Sequence, residues 1–402
     1  MKTSQKTTTS LLLALMALAN TAIGAENANL QDAIWRGNIA RTGEFSSPGP
    51  LKEPKLKWKF PTGKPVKSSP IITGGVVYVA SDDGNLYAID LASGKEKWKY
   101  AVGVPIKCSV AVAGGRVFLT SGKGVHAVDA ASGTNIWMKP GSFRDDSPLV
   151  LNVPIQHRDG KKLDGMIFYT EPLKALVGLD VATGEEMWRY RDGNGPGKGG
   201  SSAFIHRGII GFFRGSQATV LVDALTERMI YEIDGGIDGG VFTPAGRDGI
   251  CYSFINGIVA FNLEENGKLG RTSNGNYKMK WRYFPKEDKN WDIRHPGISS
   301  ISVDDKAVYF GQVDKHVYAL NRETGTVLWK TPTGGPVSSS PALGSGELLF
   351  VGGQDKMLYG INKKDGSVCW KFATGGVIYS SPAPSGNSVV VGSDDGSIYA
   401  LE

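Results

Sequence analysis

Three ionisable residues of this sequence occupy equivalent places in a repeated pattern. Lys67, Lys107 and Asp145 each precede a pair of residues, usually including Ser, that recurs along the chain. Two ammonium groups and a carboxylate that converge on one funnel can hold an anion such as a carboxylate. The alternative is that these residues line a water-filled channel without a ligand, and the sequence favours this alternative.

Aromatic and charged residues also gather in the longest connections between repeats. Aromatic side chains and Arg are enriched in the hot spots of protein interfaces, so we predict a partner-binding rim from these residues. The rim comprises Phe143, Arg144, Asp145, Lys198, Trp291, Asp292, Arg294 and His295. The alternative for Trp291 is that its ring merely packs over its own repeat.

Other catalytic and metal-binding patterns are weak. Cys108, Cys251 and Cys369 are widely separated and odd in number, so at most one disulfide can form, and buried thiols are the alternative. The glycine-rich run at 192–200 lacks the Lys-Ser/Thr ending of a phosphate-binding loop, and no GxSxG nucleophile motif occurs. We therefore predict no catalytic residue and no metal site.

Composition indicates an all-β protein. The 402 residues include 54 Gly, 20 Pro and nine Trp, and 41% of the chain is apolar. This much glycine disfavours helices, and the apolar content argues against disorder. The 45 basic and 39 acidic residues give a formal charge of +6, a mixed surface that does not indicate nucleic-acid binding.

The N-terminus has the pattern of a secretory signal peptide over residues 1–25. Lys2 and Lys6 precede the apolar run 11–19, and small residues lead to Gly24 and Ala25. No cysteine lies near the expected cleavage point to carry a lipid, and no later segment is apolar enough to span a bilayer. We expect a secreted, monomeric chain without a transmembrane segment.

An internal repeat predicts the fold. Trp58, Trp98 and Trp137 are spaced by 40 and 39 residues. Most of the repeated Trp residues end a turn of the type AIDLASGKEKW, the form that ends at Trp98. Between these turns lies a second pattern, which occurs in eight copies and reads SSPIITGGVVYVASDDGNLYAID in its cleanest form. Copies of about 43 residues with four short strands each predict an eight-bladed β-propeller.

The first copy predicts the strand bounds, and the last copy predicts how the ring closes. The expected strands of the first blade are 68–73, 76–81, 86–90 and 95–100. The chain stops at Glu402 after the third strand of its last copy, so we predict that residues 55–60 supply the missing strand.

The repeated Trp residues are predicted to join the blades. Each ring would lie flat against the turn of the neighbouring blade, where a buried aromatic contributes about 150–250 Å² of contact. These residues are Trp58, Trp98, Trp137, Trp188, Trp281, Trp329 and Trp370.

The turn pattern resembles the pyrroloquinoline-quinone (PQQ) repeat, whose signature is this "tryptophan docking" turn. The opening residues from Trp35 to Asn38 and from Arg41 to Gly43 are also similar to the short N-terminal segment of such proteins. The resemblance covers 55–402, with residues 26–54 leading in, and implies one propeller domain. Members of this family include quinoprotein alcohol dehydrogenases and BamB, the outer-membrane barrel-assembly subunit.

The resemblance implies two alternative functions. The first is a non-catalytic periplasmic scaffold similar to BamB, with a periplasmic or outer-membrane protein partner and no cofactor. The second is a dehydrogenase that binds PQQ in its central funnel and oxidises alcohols or sugars. Such enzymes are longer and often carry adjacent cysteines and a calcium site, which this sequence lacks. The matching length favours the scaffold, although the lipid-anchor cysteine of BamB is missing.

Overall fold

A computed structural model describes the chain over 33–141, 147–157, 160–171, 175–191, 202–206, 208–214, 218–223, 229–234, 243–254, 257–263, 279–284 and 299–402. Within these ranges the regular structure is entirely β, and no helix is long and apolar enough to cross a membrane. The expected signal peptide and the whole of the predicted rim lie outside the described residues.

Eight antiparallel sheets, each with a core of four strands, form the blades of a β-propeller, as the repeat predicts. Blades 1 to 4 comprise β3 (Ile71–Thr73), β4 (Val76–Ala80), β5 (Asn85–Asp90) and β6 (Glu96–Ala101); β7 (Ala111–Ala113), β8 (Arg116–Ser121), β9 (Gly124–Asp129) and β10 (Asn135–Pro140); β11 (Leu149–Leu151), β14 (Met166–Glu171), β15 (Ala175–Asp180) and β16 (Glu186–Arg191); and β17 (Phe204–His206), β18 (Ile209–Arg214), β19 (Ala218–Asp223) and β20 (Met229–Asp234). Blades 5 to 8 comprise β21 (Ala245–Arg247), β22 (Ile250–Phe254), β23 (Ile258–Asn262) and β24 (Met279–Tyr283); β25 (Ser302–Val303), β26 (Ala307–Gln312), β27 (His316–Asn321) and β28 (Val327–Pro332); β29 (Ala342–Leu343), β30 (Leu348–Gly352), β31 (Met357–Asn362) and β32 (Val368–Ala373); and β33 (Ala383–Ser385), β34 (Ser388–Ser393), β35 (Ser397–Leu401) and β2 (Leu56–Pro61). Blade 2 gains a fifth strand, β1 (Ala33–Ile34), and blade 3 carries a small hairpin, β12 (Ile155–Gln156) with β13 (Lys162–Leu163).

The last blade is closed by the N-terminal strand, as predicted. Strand β2 pairs antiparallel with β35, and Trp58 lies opposite Ala400. Backbone bonds between Lys55 and Glu402 extend the pairing beyond the strand, with N···O distances of 2.8 and 2.9 Å. Because the first and last parts of the chain share one sheet, the ring has no open end at this blade.

The innermost strands begin later than predicted. In blade 1 the strand starts at Ile71 and not at Ser68, because the residues before it bond through their side chains. The Ser68 hydroxyl accepts from Ala80 N–H and donates to Ala80 C=O, at 2.9 and 3.0 Å, and so replaces a ladder pair. Pro70 follows and has no N–H to contribute. The same substitution of hydroxyl for backbone recurs at Ser299, Ser339 and Ser380.

The repeated Trp residues lie at the contacts between blades. Trp58 donates its indole N–H to Leu91 C=O of the next blade at 2.8 Å, and its ring lies against Gly94 of that turn. Equivalent bonds, between 2.7 and 3.1 Å, are made by Trp98, Trp137, Trp281, Trp329 and Trp370. The buried hydrophobic clusters likewise combine residues of neighbouring blades, so the core lies between the sheets.

Trp370 shows how the closing strand completes this pattern. Its acceptor is Pro50 C=O, because blade 8 has no turn of its own between the third and fourth strands. The N-terminal chain that leads into β2 takes the place of that turn. The turn that corresponds to Trp188 falls at 224–228, outside the described residues.

Candidate functional site at the axis and faces of the propeller

The propeller has two faces with different construction. One face, here called the connection face, carries the links between blades and the hairpins between second and third strands. The other, here called the plug face, carries the remaining turns and the N-terminal segment 33–50. The eight first strands surround the axis between the two faces, so a ligand in the funnel would contact the residues around their ends.

The N-terminal segment covers the axis from the plug face. Strand β1 pairs with β7 of blade 2, and the segment then bonds to the first strands of blades 4 to 7. Ile39 and Ala40 accept from Ile205 and Gly246 N–H groups, while Thr42 and Gly43 accept from Val303 and Leu343, all at 2.8 or 2.9 Å. The N-terminal residues that the sequence analysis singled out, from Trp35 to Gly43, therefore cross the inner ends of the blades.

Two arginines of this segment are buried at the axis. Arg41 is fully buried and donates to the carbonyls of Ala203 and Pro148, at 3.1 and 3.0 Å. Arg36 is 3% exposed and donates to Arg41 C=O at 3.0 Å and to Ile301 C=O. Burial lowers the pKa of Arg41 to about 9, and burial together with the nearby charge of Arg41 lowers the pKa of Arg36 to about 9. Both groups remain charged at neutral pH.

A ring of hydroxyl groups joins the blades below this segment. The backbone N–H of Ser69 donates to Ser109 Oγ, and Ser109 N–H donates to Ser147 Oγ. Five more bonds of this kind are described, which makes seven for eight blades, and one of them joins the last blade to the first, where Ser381 N–H donates to Ser69 Oγ at 2.9 Å. The members are Ser69, Ser109, Ser147, Ser202, Thr243, Ser300, Ser340 and Ser381. This role for the recurring Ser pair was not predicted, because it depends on contacts between successive copies.

The connection-face mouth brings lysines together with carboxylates. Lys67 Nζ lies 3.9 Å from Asp82 Oδ2 and 5.8 Å from the centre of the Tyr379 ring, while Lys107 is exposed. Burial raises the pKa of Asp394 above its ordinary value; the charge of Lys67 opposes this rise and that of Asp82 adds to it. Of the predicted funnel residues, Asp145 lies outside the described residues, so the structure places only the two lysines.

A cavity opens on the plug face. It has a volume of about 360 Å³ and lies between the N-terminal segment and the first strands of blades 1 and 8. Glu44, Ser46 and Ser47 line it from the segment, and backbone from Pro70 to Gly75 lines it from blade 1. No predicted site residue contributes to this cavity.

Most predicted partner-binding residues fall outside the described ranges. This applies to every rim residue: Phe143, Arg144, Asp145, Lys198, Trp291, Asp292, Arg294 and His295. Their role stays a prediction. The three cysteines are free thiols in the structure, with Cys108 and Cys251 buried and Cys369 exposed. Within the described part of the chain, no cluster of three or more His, Cys, Asp or Glu side chains is arranged to hold a metal ion.

Comparisons with solved structures find the same propeller in BamB and in two dehydrogenases. BamB from Moraxella catarrhalis aligns with 87% of this chain and 99% of its own, at 17% identity and a TM-score of 0.61. Quinohemoprotein alcohol dehydrogenase from Comamonas testosteroni aligns with 97% of this chain and 84% of its own, at 14% identity and a TM-score of 0.68. A europium-containing methanol dehydrogenase covers 92% of this chain and 98% of its own, at 13% identity and a TM-score of 0.63.

At these identities the structural similarities show the fold alone. No curated protein sequence matches the chain. A family model described as outer membrane protein assembly factor BamB, however, matches residues 32–239, 172–336 and 313–402, which together span the propeller. The chain therefore belongs to this PQQ-repeat β-propeller family.

Proposed function

We propose that this protein is a non-catalytic periplasmic scaffold that binds a protein partner during outer-membrane protein assembly. The observation that carries the proposal is the match of the BamB family model from residue 32 to residue 402. The proposed periplasmic location rests on this match and on the secretory signal that the sequence pattern predicts at 1–25. A propeller offers two broad faces for such binding, and the choice between them can be argued from the structure.

The connection face is the better candidate for the partner. The N-terminal segment already occupies the axis on the plug face, and many turns there receive a Trp from the neighbouring blade. On the connection face, Tyr379 is 38% exposed beside Lys67, and Lys107 and Lys123 are exposed on the adjoining part of this face. An accessible aromatic beside both lysines and the carboxylates of Asp82 and Asp394 fits a protein segment of mixed charge with an apolar anchor.

Capture experiments test this surface. The tagged protein is incubated with periplasmic and outer-membrane extract from its own source, and bound proteins are identified by mass spectrometry. We expect Lys67→Glu with Tyr379→Ala to reduce recovery of the partner at least tenfold. The matched control is Lys99→Glu, an exposed position on β6 away from this mouth. Trp291→Ala with Arg294→Ala tests the predicted rim. Unchanged recovery with both double variants would contradict binding at this face.

Complementation tests the function itself. The chain is expressed in a Gram-negative strain that lacks its own member of the family, and the outer-membrane content of β-barrel proteins is measured. We expect partial or full restoration of those proteins. A chain that reaches the periplasm and folds there, yet restores none of them, would contradict the assembly role in that strain.

The alternative is a PQQ-dependent enzyme, because two dehydrogenases have the same propeller fold. The described part of the connection-face mouth does not fit this cofactor well, because Asp82 and Asp394 would face its carboxylate groups beside Lys67. Titration of the purified protein with PQQ and calcium separates the two functions. We expect no stoichiometric binding and no dye reduction with alcohols or aldose sugars; tight binding would favour the enzyme.

A further inference from the structure

The two axial arginines carry charge that the described protein does not balance. The acceptors of Arg36 and Arg41 are backbone carbonyls and the Ser302 hydroxyl, and within the described ranges neither forms an ion pair with a carboxylate. Trp35 places its ring 5.7 and 5.4 Å from the two guanidinium carbons, which lessens the repulsion without supplying a negative charge. Buried charges in proteins are ordinarily paired.

Unused hydrogen-bond donors occur beside a small cavity at the same place. The cavity has a volume of about 10 Å³, and Trp35 and Arg36 line it together with Ser69, Ser340 and Ser381. Arg36 Nη1 and Trp35 Nε1 are buried and have no hydrogen-bond acceptor among the described residues. Arg36 is 97% buried, as its exposed fraction of 3% shows. Its free N–H groups therefore have no access to bulk water.

The serine hydroxyls add donors to the same cavity. Ser69, Ser340 and Ser381 each use Oγ to accept a backbone N–H in the hydroxyl ring. A hydroxyl that accepts in this way still has one O–H to donate. The polar side chains of the lining can therefore donate under a net positive charge, and the remaining lining residues are Phe45, Ala342 and three prolines. A water molecule must itself donate two hydrogen bonds, whereas an anion only accepts them. A site that offers donors therefore suits an anion better than water.

We propose that this axial cavity binds one small monovalent anion of the size and charge of chloride. Room for about one water-sized sphere excludes phosphate, sulfate and carboxylates. The anion would accept from Arg36 Nη1, Trp35 Nε1 and hydroxyls of the ring, and would offset one of the two buried charges. It would thus join the N-terminal segment to blades 1, 7 and 8. The site is independent of the proposed partner and function.

Bromide provides the direct test. Crystals of the mature protein are soaked in sodium bromide, and anomalous differences are measured at the bromine edge. We expect one peak on the axis within hydrogen-bonding distance of Arg36 Nη1. Bromide peaks confined to the outer surface, or an axial site that scatters only as water, would overturn the proposal whatever the solution data show.

Thermal unfolding tests the same site in solution. Sodium gluconate is exchanged for sodium chloride at constant ionic strength, so that only the small anion changes. We expect saturable stabilisation, with the folding equilibrium constant raised about 11-fold at ten times the dissociation constant. Trp35→Phe keeps the ring but removes one donor and should weaken the halide dependence, while Arg36→Gln should abolish it. Lys99→Gln, a surface control, should leave it unchanged. An equal halide response in all four proteins would overturn the proposal.

Discussion

Replacing one turn glycine by alanine measures how much a docked Trp contributes to the propeller. A Cβ atom at Gly94 would lie 2.6 Å from Trp58 Cγ, on the interface where the closing strand meets blade 1. Gly94 also has a φ of +70°, a left-handed conformation that costs an alanine about 1–2 kcal/mol by itself. The measurement must therefore separate backbone strain from loss of the ring contact.

Gly75→Ala provides that separation. Gly75 has a φ of +72° and nothing within 4 Å of its built Cβ, so the substitution adds strain but no clash. Overpacking of a contact costs about 1–3 kcal/mol more. We expect Gly75→Ala to lower the free energy of unfolding by about 1–2 kcal/mol, and Gly94→Ala by about 2–5 kcal/mol. Urea unfolding of both variants under identical conditions gives the comparison.

A second pair repeats the experiment away from the closing strand. Gly133, with φ +74°, faces the Trp98 ring at 2.7 Å, whereas Gly115, with φ +73°, faces open space. The difference between the alanine variants at these two positions should again be about 1–3 kcal/mol. Equal losses within each pair would refute the view that the ring contacts hold the blades together. A larger difference at Gly94 than at Gly133 would show that closure adds to the contact.

The remaining predictions concern closure and pH. Deletion of Lys55–Phe60 removes the partner of β35 and should lower the melting temperature measured by circular dichroism; an unchanged value would contradict closure. Burial lowers the pKa of His126 from 6.5 to about 4, so its contribution to stability is complete above pH 6.5 and is lost as the pH falls toward 4. The loss should reach about 2–3 kcal/mol in urea unfolding at pH 4 and be absent in His126→Gln. Burial and the bond to Asp355 raise the pKa of Tyr359 from 10.0 to about 12, so near-ultraviolet titration should show one fewer phenolate near pH 12 in Tyr359→Phe, and the stability contribution should be lost as the pH rises from 10 to 12.

Much of the fold could be predicted because each copy of the repeat contains the local sequence features that determine its four strands and their turns. Turn glycines, strands with alternating apolar residues and a Trp at constant spacing are local features. Their eightfold recurrence therefore predicts eight blades. The closing strand was also predictable, since a copy that ends at Glu402 lacks one strand and Trp58 stands before the first copy. The error at Ser68 arose because a hydroxyl can take the place of a ladder bond, which alternation does not reveal.

The axial site was less predictable because its parts are distant in sequence. Arg36 and Arg41 stand out beside Trp35, but long polar side chains are ordinarily on the surface. Their burial depends on carbonyl groups of Ala203 and Ile301, which lie far along the chain. Only the closed ring brings these carbonyls to one axis. The same holds for the hydroxyl ring, whose members are neighbours only after the blades have assembled.

The arrangement of the two faces agrees with the proposed scaffold role. Turns on the plug face are constrained by the Trp rings that they receive, and the N-terminal segment fills the axis there. On the other face, no docked Trp ring meets the connections that the structure describes, and the connections differ in length: nine residues separate β6 from β7, whereas eighteen separate β24 from β25. A partner preference is therefore most readily encoded on the connection face, where we propose that binding occurs.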